Sequence, residues 1–72
     1  MTKRDVRYSG GAWVVTAQGG VRVSFRSADR GDALARAKRI VGNAGGGEVA
    51  VYDQSGAGVD VVGVPRRRSG VS

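Results

Sequence analysis

One stretch of this chain repeats its apolar residues at helical spacing, and the rest must be arranged around it. Ala33, Leu34, Ala37, Ile40 and Val41 form a single apolar stripe. Asp29 stands ahead of them as an N-cap, with Asp32 three residues later as a weaker capping-box acid. Gly42-Asn43 follows as a stop signal. The pattern predicts one amphipathic helix from about Asp29 to Val41. A lone helix has to bury its stripe against something else, and the remaining segments read as strands. The expected fold is therefore a two-layer α+β domain, an antiparallel sheet in the order β-β-β-α-β-β covered on one face by one helix.

The strands differ in clarity. Val6 to Tyr8 reads as a short first strand, broken by Ser9-Gly10-Gly11. Residues 12 to 17 and 21 to 26 form a hairpin. A two-residue Gly-Gly turn would mix apolar and polar residues on one face. A three-residue loop, Gln18 to Gly20, sets Trp13 opposite Phe25, Val15 opposite Val23 and Ala17 opposite Val21, as burial requires. The helix is expected to cover Trp13, Val15, Val23 and Phe25, with Leu34, Ile40, Trp13 and Phe25 as the bulk of a thin core. Glu48 to Asp53 alternates, with Val49 and Val51 inward. Gln54-Ser55-Gly56 turns, and Val59 to Val64 returns as a valine-rich strand at a sheet edge. Pro65 closes it. The expected organisation is one domain over residues 1–64 and a disordered basic tail over 65–72.

Composition limits the chemistry. The chain has 72 residues and neither cysteine nor histidine, so disulfides, thiolate zinc sites and imidazole catalysis are excluded. Its six acids are dispersed among arginines rather than clustered. Serine, threonine and tyrosine have no base at hand, and Lys38 lies on a solvated helix face. Gly45-Gly46-Gly47 follows a helix and precedes a strand, the reverse of a phosphate-binding loop. These features predict no enzyme, no cofactor, no metal and no small-molecule substrate. Apolar runs are two or three residues long, and the start Met1-Thr2-Lys3-Arg4 is charged. A cytoplasmic protein without a membrane association is expected.

The charge points to a partner class. Ten arginines and two lysines against six acids leave +6, and arginine forks bind phosphate oxygens in pairs. The same Gly-, Ala-, Val- and Arg-rich composition also follows from a GC-rich genome. Parity places Arg7, Arg22, Arg26 and Tyr52 on the sheet face away from the helix, a basic-aromatic patch. Arg66, Arg67 and Arg68, with Lys3-Arg4, form a basic arm or a solubilising tail. DNA or RNA binding through these residues is the first expectation. The second is a protein-interaction or self-association module, a homodimer included, built on the edge strand with Val59, Val61, Val62 and Val64. A small phage or mobile-element protein acting on a host partner is a further reading that the residues do not separate from the second.

The spacing of several motifs resembles the small bacterial domain-of-unknown-function family numbered 2188. Members show a Gly-Trp-x-Val start, a glycine six residues after the tryptophan and an arginine three later. A Thr-x-x-Glu-Ala helix opening, a Gly-Gly-Glu-Leu-Val-Val strand and an Asp-Gly turn follow. Here Trp13 and Val15 fill the first motif, with Ala12 for its glycine, and Gly19 and Arg22 keep the spacing. Asp29 and Asp32-Ala33 stand at the helix opening. Gly46 to Val51 matches the strand, and Ser55-Gly56 replaces Asp-Gly. Ser27 stands where an aromatic is common and Tyr52 at a frequent histidine, so no role for that histidine transfers. The resemblance spans about residues 6 to 60. It implies one compact domain and carries no activity.

Overall fold

The computed structural model describes residues 2–17 and 23–66. Five strands and one helix follow one another as β1 (Thr2–Ser9), β2 (Ala12–Ala17), β3 (Val23–Ser27), α1 (Arg30–Asn43), β4 (Gly47–Tyr52) and β5 (Val59–Val64). They build a five-stranded sheet in the order β3-β2-β1-β4-β5, with α1 packed on one face. The α+β, two-layer architecture is the expected one. The sheet, however, is mixed rather than antiparallel. β1 pairs antiparallel with β2 but parallel with β4, Val6 lying beside Val51. The helix explains this. β3 runs in the same direction as β1, and α1 carries the chain over the sheet, so β4 emerges parallel to both.

β1 is longer than the expected Val6–Tyr8 and occupies the middle of the sheet. Its apolar and polar residues separate only in the second half of the strand, since Thr2 and Arg4 share the parity of Val6. Val6 and Tyr8 face the helix, while Lys3, Asp5 and Arg7 face the other way. The hairpin register also differs from the expected one. Trp13 pairs with Ser27, Val14 with Arg26 and Val15 with Phe25, a slide of two residues. Such a slide preserves which face each side chain uses, so Trp13, Val15 and Phe25 still share the helix side. Between Val15 and Thr16 the register shifts, and Ser24 is the extra residue of a bulge that sets Val23 opposite Thr16. Val23 is consequently half exposed instead of lying under the helix. The expected Gln18–Gly20 loop and the Ala17–Val21 pair fall outside the described residues.

Asp29 caps α1 as expected, its carboxylate accepting from Gly31 N–H at 2.8 Å. The helix does not stop at Gly42. That glycine is buried within the helix, and the chain turns at Ala44. Gly46 N–H donates to the Val41 carbonyl at 2.9 Å and Gly45 N–H to that of Gly42 at 3.3 Å. This is a Schellman closure, with Gly45 at φ +104° taking the left-handed position. Two residues on, the chain passes so close to β1 that a Cβ on Gly47 would collide with the Thr2 backbone.

The core is smaller-boned than expected. Val6, Val15, Val41 and Val49 are its largest fully buried side chains, with Ala33 and Ala37 of the helix set directly on them. Burying each valine contributes about 1.5–3 kcal/mol. Trp13 is buried at the margin, edge-on to Tyr8 with ring centroids 5.2 Å apart. Leu34, Ile40 and Phe25 only lean against the cluster. Alanines let the helix come close, and valines then fill the narrow gap. Among the described residues, no helix is long and apolar enough to cross a membrane.

Candidate functional site on the open sheet face

The helix covers one face of the sheet and leaves the other open. Register places five residues in one row straight across that open face. Arg26 of β3 opposes Val14 of β2, and Val14 opposes Arg7 of β1. Continuing the parallel register one step past Val6–Val51 sets Arg7 beside Tyr52 of β4, which in turn opposes Val59 of β5. The Arg7 guanidinium lies over the Tyr52 ring, 4.1 Å from its centroid. A cation at that height over an aromatic face is held by the ring quadrupole.

A second row runs beside the first, made of Val23, Thr16, Asp5, Ala50 and Val61. Asp5, only 5% exposed, sits at its centre on the central strand. Its Oδ2 lies 3.7 Å from Nη2 of Arg7. A buried carboxylate is tolerated when a charge of opposite sign stands against it. Arg7 is therefore fixed from two sides, by Tyr52 in its own row and by Asp5 in the next. Val14 is buried on this nominally open face, with arginines opposite it on both neighbouring strands. Arg26 Nη2 lies 3.6 Å from the place a Cβ would take on Gly10. At the far end of the face, Lys3 pairs with Glu48 at 3.7 Å. The sheet's margins on this face are apolar, with Val23, Val59 and Val61 all more than half exposed.

Of the residues expected to form the patch, the structure brings Arg7, Tyr52 and Arg26 into a single row. Arg66 is elsewhere. It follows β5 beside the turn after α1, where a Cβ on Gly46 would come within 2.8 Å of its backbone nitrogen. Arg22, Arg67 and Arg68 lie outside the described residues. Sequence reasoning missed Asp5, whose burial depends on strand neighbours. It also missed two helix arginines folded over core aromatics: Arg36 lies 4.5 Å from the Phe25 centroid and Arg30 5.6 Å from that of Trp13. Their aromatic partners can be found only once the register is known.

One loop carries a perturbed acid. The Asp53 carboxylate accepts from the Ser55 hydroxyl at 2.7 Å and from the Ala57 and Gly58 N–H groups at 3.1 and 3.0 Å. The Ser55 hydrogen bond, with the backbone donors behind it, holds this carboxyl below its ordinary value of 3.8. All its partners belong to the turn between β4 and β5, so it shapes that turn. Among the described residues no group of three or more acids is placed to hold a metal ion.

No curated protein and no solved structure matches the chain. A family model does, described as an uncharacterised protein conserved in bacteria, and it runs over residues 4–57, from β1 into the turn before β5. Since that match takes in most of the chain, the protein belongs to the bacterial family DUF2188.

Proposed function

We propose that the protein is a non-enzymatic module that binds nucleic acid on its open sheet face, in the cytoplasm where such polymers are found. The observation that supports this reading is the row Arg26–Val14–Arg7–Tyr52–Val59 on the face the helix leaves uncovered. The row carries two guanidiniums on the uncovered face, and phosphate oxygens are their natural ligands. Tyr52 lies under the Arg7 guanidinium, and an unpaired base stacks on a guanidinium plane as it does on an aromatic ring. The chain's excess of +6 adds an attraction for polyanions that depends on salt and not on sequence. Asp5 neutralises part of Arg7, so each phosphate interaction is modest and the affinity is carried by several together.

Titrating DNA and RNA oligonucleotides, single- and double-stranded, at several salt concentrations tests the reading. Truncating one phosphate-binding side chain should reduce the steepness of log affinity against log salt by about one. Arg7→Ala and Arg26→Ala are each expected to do so, and the double variant to reduce it by about two. An absence of binding at low salt, or an unchanged slope in the double variant, refutes it.

A further inference from the structure

The sheet has two edges, and they are protected very differently. β3 is short, is bulged at Ser24 and carries Arg26 on its open side. Bulges and outward charges are how edge strands avoid pairing with other chains. β5 has neither. Its six residues keep an unbroken register with β4 from Val64 beside Gly47 to Val59 beside Tyr52. Its open-face residues are Val59, Val61 and Gly63, with Val61 61% exposed. No other strand among the described residues takes the backbone donors and acceptors on its outer side. The helix, seated mainly over the other four strands, leaves this margin thin.

We propose that β5 is a self-association edge, on which β5 of a second copy pairs antiparallel about a two-fold axis at Val62. Charge selects this register. With the axis at Val61, Asp60 would sit diagonal to Asp60 of the partner subunit, a like-charge contact. With the axis at Val62, Asp60 opposes Val64 of the partner subunit and lies diagonal to Arg66 of the partner subunit, twice by symmetry. The exposed Val61 then lies opposite Gly63 of the partner subunit, which leaves it room. Pairing runs from Asp60 to Val64 and ends before Pro65, which has no N–H to give. An axis normal to the sheet keeps both helices on one side. The result is a ten-stranded sheet whose two open faces join into one.

A single strand pair buries little surface, so the association is expected to be weak and concentration-dependent. Sedimentation equilibrium on the full chain, carried to high protein concentration, should show the mass rising from 7.4 kDa towards twice that value. Val61→Lys adds a charge where the side chain is already exposed, so it should keep the fold and abolish association. Asp60→Arg should weaken association several-fold, and adding Arg66→Asp to it should restore it. A monomer at every concentration overturns the proposal. So does a folded Val61→Lys variant that associates as well as the parent, or a double charge swap that fails to rescue. A monomer that captures an extended foreign peptide along β5 overturns it as well. Val61→Lys leaves Arg7, Tyr52 and Arg26 in place, so its outcome does not depend on the nucleic-acid reading.

Discussion

Arg7 does three things with one side chain. It covers Tyr52, compensates buried Asp5 and stands opposite buried Val14. The first two constraints leave its guanidinium with few rotamers to lose when a ligand arrives, which lowers the entropy cost of binding. Asp53 shows how a fully exposed acid still shapes its surroundings. Its folded pKa is depressed, so its contribution to stability is present above 3.8 and is lost as pH falls through the lower folded value. Asp53→Asn should therefore melt below the parent near neutrality, with the gap closing as pH falls below 3.8 and through the lower folded value. Thermal unfolding followed by circular dichroism across that range checks it, and a constant gap would contradict it. Parity along single strands is enough to place Arg7, Arg26 and Tyr52 on one face. The Arg7–Asp5–Tyr52 triangle is not legible in the sequence, because Arg7 and Tyr52 come from neighbouring strands whose order the sequence leaves open.

Elements end where a backbone can be closed. Gly42-Asn43 carries the stop signal in the sequence, but α1 continues to Asn43 because Gly45 and Gly46 can supply the left-handed closure. A glycine run of this kind makes several stops look equal in sequence, and only the burial of Val41 and Gly42 on the helix's inner side chooses among them. The glycines after the helix then have separable roles. Gly45→Ala meets no neighbour and should cost only left-handed strain, about 1–2 kcal/mol. Gly47→Ala drives a methyl into the Thr2 backbone and should cost more than about 4 kcal/mol, enough to unfold a domain this small. Urea denaturation of the two variants separates them, and equal midpoints would show that the β1–β4 approach is looser than described. The hairpin's two-residue offset from the expected register has a related cause. Face alternation fixes parity, whereas the bulge at Ser24 sets the remaining offset and has no strong local signature.

For the molecule as a whole, the crossover decides which strands are central. Because α1 spans β2 and β1 to deliver β4, the first strand of the chain becomes the middle of the sheet. Stability should follow that order. At low protein concentration, amide exchange is expected to be slowest in β1, β2 and β4 and faster in the edges β3 and β5. Mass spectrometry of exchange on the intact chain tests this, and edges as slow as the centre would contradict it. The polar sequence of β1 conceals its central place, since Thr2, Lys3, Arg4 and Asp5 read as a charged start and not as a buried strand.

The mid-sheet place of β1 also sets a schedule. Its neighbour β2 follows after a two-residue turn, so the β1–β2–β3 meander can close through local contacts. Its other neighbour, β4, is separated from it by residues 10 to 46 and becomes available only after the helix. Loop closure across that span is the slow step in building such a sheet. Until it is complete, one flank of β1 is an unpaired edge in the interior of the future domain. On a ribosome, the meander therefore waits with the sheet's future middle strand half open while the chain that will shield it is still being made.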